Sequence, residues 1–481
     1  MLQKIRNKLR SIPLEVKASV SYTVCSILQR CLSFITLPLF TRLLTQEQYG
    51  QYTVYQSWIS IFTIFITLNL AYGSFSTAMV KFEKDRYGYI AAIQNLCLVL
   101  AGIFLVIYLP FQNTWNVFLE MPTALVLLML AEILMQFSLL CWYTYHRFDY
   151  KYKLVILVTM LTSILAPLAA YVFVSFSPEK GYARIFGYAS ITIIFGLVFF
   201  ILAAVKGKGG FNFRYWKYAL GFNIPLIPYY LSQTIFNQSD RIMISRMTST
   251  ADAAKYGVAY TLATMLSFVL NAINNSYVPW FYSKIKEGKA RENRSVSNGI
   301  SLLMAFILLA VIALAPEVIY IMAGESYADA AYVVPPVAMS ILLLFYCQLF
   351  INVEFYYEEK TALVWGSIAA AVLNIVLNYL LIPVFGYVVA GYTTLISYVA
   401  FAVSNYFTLH LIAKKHNVTC DYFDLKSLIG IFVAFAALSF LAMALYTLPW
   451  IRYAIIATVL ITLIIFHKKV LAFVAFVLKR K

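Results

Sequence analysis

The chain has 481 residues, of which 62% are apolar and 12% charged, and its mean hydropathy is +0.79. Soluble domains are nearer half apolar and a quarter charged, so a soluble globular enzyme is excluded and lipid is the solvent for most side chains. Lys and Arg number 37 against 20 Asp and Glu, a formal net charge of +17; the position of those charges decides what they are for.

A helix of about 20 apolar residues crosses the roughly 30 Å hydrocarbon core of a bilayer. Fourteen such stretches occur, near 19–41, 53–78, 88–109, 121–142, 154–175, 184–205, 218–239, 257–281, 297–316, 331–353, 361–382, 387–409, 427–447 and 450–467. The expected class is an all-α polytopic membrane protein with 14 transmembrane helices.

Alternation of basic and non-basic loops tests that count. One set of segments runs Lys4–Lys17, Lys81–Arg86, Arg147–Lys153, Lys206–Lys217, Lys284–Arg294, Lys360, Lys414–Lys426 and Lys468–Lys481, and holds 29 of the 37 basic residues. The alternate set holds seven: Arg42, Lys180, Arg184, Arg241, Arg246, Lys255 and Arg452; Arg30 lies within the first span. Both termini are therefore expected in the cytoplasm. Topology accounts for the positive charge, which leaves no call for a nucleic-acid partner. The first apolar stretch is too long for a cleavable signal and is expected to stay attached. Residues 2–12 place Leu2, Ile5, Leu9 and Ile12 opposite Lys4, Arg6, Lys8 and Arg10, the pattern of a short helix on the inner leaflet or of a frayed basic tail.

Segments between spans are short, and they carry no GxxxxGK[ST], no HExxH and no paired-cysteine set. The six cysteines lack metal-ligand spacing, so no metal and no cofactor is expected. Acids in the non-basic loops, such as Glu120, Glu179, Glu317, Glu325 and Asp329, are scattered. A membrane polymerase, which would need an external catalytic loop, ranks third among the functional readings.

An internal repeat is visible. Thr41-Arg42-Leu43-Leu44 leads through a polar turn to Tyr49-Gly50, and Arg246-Met247-Thr248 leads through another to Tyr256-Gly257, 207 residues further on. An even number of spans separates the copies, so they are parallel repeats. The expected organisation is a basic segment at 1–18, an N-lobe of helices 1–6 at 19–205, a cytoplasmic linker at 206–217, a C-lobe of helices 7–12 at 218–412, and helices 13–14 with a basic tail at 427–481. Two six-helix lobes around a central cavity suit transport by alternating access.

Leu37-Pro38-Leu39 with Thr41-Arg42-Leu43-Leu44 and Tyr49-Gly50 resembles the first-helix signature of flippases for polysaccharide repeat units, the Wzx-like branch of the multidrug/oligosaccharidyl-lipid/polysaccharide exporter superfamily. Phe222-Asn223-Ile224-Pro225-Leu226-Ile227-Pro228, followed by Asp240-Arg241-Ile242-Met243-Ile244, resembles that family's seventh-helix pattern. The resemblance implies a multi-pass protein of the bacterial cytoplasmic membrane that turns undecaprenyl-pyrophosphate-linked oligosaccharide over for O-antigen, capsule or related polysaccharide synthesis. Membrane lipids, a polysaccharide polymerase and chain-length machinery are the partners it implies, and the extra helix pair is expected to form a groove for the polyprenyl tail. The coupling ion stays open between H+ and Na+. A small-molecule or drug exporter of the same fold is the runner-up.

A polar headgroup crossing hydrocarbon needs cations for phosphate and amides or aromatics for sugar. Arg30, near the middle of span one, is either a pyrophosphate contact or the ion-pair partner of Glu132 in span four; Glu132, if paired, could titrate during transport. Arg42, Asp240, Arg241 and Arg246 are either an outer gate or a solvated helix end. Asn237 and Asn274 are candidates for sugar, although amides in spans more often link helices. Pro225 and Pro228 remove backbone donors and are the expected hinge.

Overall fold

A computed structural model describes residues 14–208, 210–359, 361–418 and 421–465. Segment 2–12 and the basic tail lie outside the described residues. Among those residues all regular structure is helical. The chain divides into two compact units, the first ending at Thr234 and the second beginning at Ile235.

The first unit contains α1 (Leu14–Leu43), α2 (Gln46–Thr67), α3 (Phe75–Lys81), α4 (Arg86–Tyr108), α5 (Gln112–Leu119), α6 (Thr123–Phe148), α7 (Tyr152–Phe176), α8 (Lys180–Lys206) and α9 (Phe213–Asn223). Helix α10 (Ile227–Met247) leads into the second unit, which continues with α11 (Thr250–Thr264), α12 (Ser267–Lys286), α13 (Asn293–Ala313), α14 (Ala315–Ala323), α15 (Val334–Tyr356), α16 (Thr361–Phe385), α17 (Val389–His416), α18 (Leu425–Ala444) and α19 (Pro449–Ile465).

Ten described helical segments are long and apolar enough to cross a membrane. Three of the remaining expected spans are interrupted, and the fourteenth is described only as the 17 residues of α19. Span two breaks after Thr67, where Leu68 (φ 46°) and Asn69 (φ 53°) both take left-handed backbone that cannot continue an α-helix. Span eight breaks between α11 and α12. Span seven breaks at a short 3-10 turn, Ile224–Leu226, where Pro225 lacks an N–H to donate. Both copies of the repeat begin on a side-chain cap. Gln48 N–H donates to Thr45 Oγ1 at 3.2 Å, with Thr45 N–H returning to Gln48 Oε1 at 3.1 Å, and Asp252 N–H donates to Ser249 Oγ at 3.0 Å.

Helix α8 packs along α7 and α6. At Gly187 an added Cβ would stand 2.3 Å from the Cα of Ala170, so only glycine allows this crossing of α7 and α8. The core of the first unit gathers Phe75, Tyr89, Ile93, Phe137 and Tyr215 from α3, α4, α6 and α9. Helix α9 is part of that core: Trp216 Nε1 donates to the carbonyl of Ala92 at 2.7 Å and Tyr215 Oη donates to Asp85 Oδ2 at 2.7 Å. In the second unit α15 is buried almost all round from Val334 to Glu354, which a lipid-facing helix is not.

Candidate functional sites

Polar side chains are costly in hydrocarbon and persist where protein or a wet cavity surrounds them. In the first unit they line a cavity of about 400 Å³. Gln56, Ser60, Thr63 and Thr67 reach it from one stripe of α2, at spacings of three and four residues, and face Gln136 and Tyr143 of α6. Its mouth includes Asn69 and Tyr72 of the break after α2. Gly73 in the same break makes room for α9: a Cβ there would meet Asn223 Oδ1 at 2.5 Å, and Asn223 Nδ2 donates to Ser74 Oγ at 2.7 Å.

Glu132 lies one turn before Gln136 on α6 and is 7% exposed. It accepts a hydrogen bond from Tyr55 Oη of α2 at 2.9 Å. Arg30 is exposed on α1, beside Gln29, whose Nε2 donates to Ser163 Oγ of α7 at 2.9 Å. Arg42 is exposed at the end of α1. Arg184, expected among the loop cations, is instead buried at 4% exposure; its guanidinium stands over Tyr52 at 3.8 Å, Tyr49 at 4.4 Å and Phe40 at 4.5 Å.

In the second unit the polar centre is Asp240. The gate expectation put it at a helix end; α10 runs on to Met247, so Asp240 is two turns inside the helix and only 1% exposed. Its Oδ2 accepts from Tyr256 Oη of α11 at 2.5 Å and from Thr394 Oγ1 of α17 at 2.9 Å, while Oδ1 accepts from Asn378 Nδ2 of α16 at 2.6 Å. Asn378 Nδ2 also donates to Asn374 Oδ1 at 3.2 Å, and Thr393 Oγ1 donates to Asn378 Oδ1. Three donors from three other helices converge on one buried carboxylate, an arrangement that satisfies its acceptor oxygens inside the helices. Among the described residues no group of three or more His, Cys, Asp or Glu could hold a metal ion.

Arg241 makes its hydrogen bonds to other groups. Its Nη1 donates to Gln238 Oε1 at 2.6 Å and to the Asn237 carbonyl at 3.1 Å, and the guanidinium lies 4.5 Å from the Tyr260 ring. Asn237, Gln238 and Tyr260 line a second polar cavity of about 220 Å³, and Thr394, bonded to Asp240, forms part of its wall. Asn274 accepts from Asn352 Nδ2 at 2.9 Å and so joins α12 to α15. Arg246 is exposed near the end of α10, and Pro225 and Pro228 are both exposed at the break before it. Sequence reading missed Tyr256 as a donor, Asn374, Asn378, Thr393 and Thr394. Asn374 and Asn378 were the available signal, two amides four residues apart in an otherwise apolar run.

A different site lies between α13 and α18. A groove of about 890 Å³, walled by Leu302, Phe306, Ile431 and Leu438, begins at Arg294 and Asp424. Through Phe306, Leu309 and Leu438 it adjoins an apolar pocket of about 270 Å³ that reaches Arg452 of α19. Arg452 is paired there with Glu317, which also accepts from Tyr453 Oη at 2.7 Å.

An all-helical chain with polar cavities inside hydrophobic helices and an apolar groove on its flank has the parts of a transporter of amphiphiles. It belongs to the polysaccharide biosynthesis protein family, whose pattern matches residues 16–286, more than half of the chain. Among its relatives, protein 1 of the Lsg locus of Haemophilus influenzae is 22% identical over 381 residues, covering 75% of this chain and 89% of that one. A second membrane protein of the same organism is 22% identical over 377 residues, 74% of this chain and 88% of that one. The fold is similar to that of a solved structure, the lipid II flippase MurJ in its inward closed conformation, with TM-score 0.70 at 11% identity over 94% of this chain and all of that one. An inward-facing multidrug resistance transporter of the MATE family has TM-score 0.62 at 12% identity, over 84% of this chain and 99% of that one.

Proposed function

We propose that the chain is a flippase, not an enzyme, for a polyprenyl-pyrophosphate-linked oligosaccharide, carrying it across the bacterial cytoplasmic membrane during synthesis of O-antigen, capsule or a related surface polysaccharide. The observation that carries this reading is the coexistence of polar cavities, sized for sugars, with an apolar groove along α13 and α18. A headgroup needs the first and a lipid tail the second. A drug exporter of the same fold is the second reading, favoured by the MATE likeness; a groove extending the length of a span does nothing for a small soluble substrate.

In this reading Arg30 meets the pyrophosphate, Asn237 meets sugar, and the break at Pro225 and Pro228 is the hinge. Fourteen spans with both termini in the cytoplasm follow from the charge alternation. Asp240, with the donors Tyr256, Thr394 and Asn378 around it, is the site at which a proton or Na+ couples to transport, and Glu132 is a second carboxylate that could titrate. A strain lacking the protein should accumulate the lipid-linked unit on the inner leaflet, measured by its protection from an externally added glycosidase. Accumulation of finished units on the outer leaflet would contradict the proposal.

A further inference from the structure

The α13–α18 groove has a charged mouth that its apolar walls do not explain. Arg294 opens the first turn of α13 and lines the groove itself. Both it and Arg291 converge on Asp421: Arg291 Nε lies 2.5 Å from Oδ2, and Arg294 Nη2 contacts Oδ1. Arg294 Nε is nevertheless buried without a hydrogen-bond partner among the described residues, and so is Asn298 Oδ1 one turn further into the groove. The other acids of the mouth are engaged: Asp424 accepts from the Ser427 backbone and hydroxyl, and Glu287 and Glu292 pair with Lys284 at 3.3 and 3.2 Å.

Asp421 takes both guanidiniums while Asp424, also beside Arg294, is turned to Ser427, so one arginine donor stays unused and is matched to a ligand with more anionic oxygens than Asp421 offers. The groove selects what carries them. With the adjoining pocket, its lining on α13 runs from Arg294 to Ala313, about 28 Å at 1.5 Å per residue, close to the hydrocarbon thickness. An ordinary phospholipid chain occupies one leaflet, roughly half of that. We infer that Arg291 and Arg294 bind the diphosphate of a long polyprenyl lipid whose chain lies along α13 and α18, and that Asp421 is the resident counter-ion this diphosphate displaces. The inference rests on the flippase reading and adds a docking position for the anionic group at the groove end, which the basic loop 284–294 assigns to the cytoplasmic side.

The test is binding to the full-length protein in nanodiscs of zwitterionic lipid, with polyprenyl diphosphate, the corresponding polyprenol, inorganic pyrophosphate and phosphatidylglycerol as separate probes. The wild type should bind the diphosphate at least tenfold tighter than the alcohol. Arg291→Gln with Arg294→Gln should remove that margin while leaving polyprenol binding unchanged, and Asp421→Asn should strengthen diphosphate binding, a gain that misfolding cannot produce. An unchanged margin in the double arginine variant overturns the inference. So does equal binding of phosphatidylglycerol, which would make this a general anionic-lipid site, or of inorganic pyrophosphate, which would make the groove irrelevant. Gly430→Trp separates the two readings. Gly430 lines the groove with nothing within 4 Å of an added Cβ, so the indole fills the groove without a backbone clash. Loss of polyprenol binding in Gly430→Trp keeps the tail groove even if the arginine variants behave as wild type; no loss removes the groove from the flippase reading itself.

Discussion

Asp240 and Glu132 show how far single residues could be read. Glu132 stood out because a carboxylate in a span is costly and therefore placed for a reason, and Asp240 because it shares a charged helix-end motif with Arg241 and Arg246. Their partners did not stand out: Asp240 is bonded by Asn378 and Thr394, which are 138 and 154 residues away in the chain. Hydropathy ends a span where charge begins, and that is why Asp240 was assigned to a helix end when α10 continues for seven more residues. Arg184 was misplaced for the same reason, since its compensation is a cage of aromatic rings and not an acid. Asp240→Asn tests the coupling role. Tyr256, Thr394 and Asn378 all donate to the carboxylate, so an amide in its place turns one of these bonds into a donor facing a donor. Gradient-driven transport should fall by about tenfold or more, in line with the loss of a charge-assisted hydrogen bond. A variant with full response to both H+ and Na+ gradients would remove Asp240 from coupling.

At the scale of helices, spans whose apolar run is unbroken were legible and interrupted ones were not. The span near 53–78 reads as continuous because Leu68 and Asn69 are unremarkable in a hydropathy window; their left-handed backbone is a tertiary outcome, set where α9 packs against Gly73. Residues 213–217 of the expected linker belong to α9, which packs into the core of the first unit. That docking has a pH signature. Burial, and then its hydrogen bond to Asp85, push the Tyr215 hydroxyl up to about 12. The folded protein therefore holds this proton where an unfolded tyrosine, near 10, has lost it. The stabilisation is complete below about pH 10 and is lost as the pH climbs toward 12. Tyr215→Phe should lower stability by about 1.5 kcal/mol at neutral pH and remove a phase of phenolate absorbance near pH 12 from an alkaline titration. Retention of that phase in the variant would assign it to another tyrosine.

For the molecule as a whole, composition and charge alternation were enough to give an all-helical membrane protein, because hydrophobicity and loop charge are properties of sequence alone. The family was legible from the helix-one and helix-seven motifs, and the match over residues 16–286 covers both. What gives the chain a substrate was not legible: the cavities are built from stripes such as Gln56, Ser60, Thr63 and Thr67, whose common face matters only once α6 lies opposite. The groove along α13 and α18 likewise needs both helices side by side, although each alone reads as an ordinary apolar span. These features are the basis on which an amphiphile with a large polar head and a long tail is proposed as the substrate. The direct measurement is translocation in proteoliposomes: purified protein, a polyprenyl-pyrophosphate-linked oligosaccharide in one leaflet, and a glycosidase that reports its arrival in the other. The account predicts protein-dependent arrival that accelerates under an imposed ion gradient. Export of a soluble amphiphilic drug by the same vesicles, with the lipid-linked oligosaccharide left where it started, would contradict it.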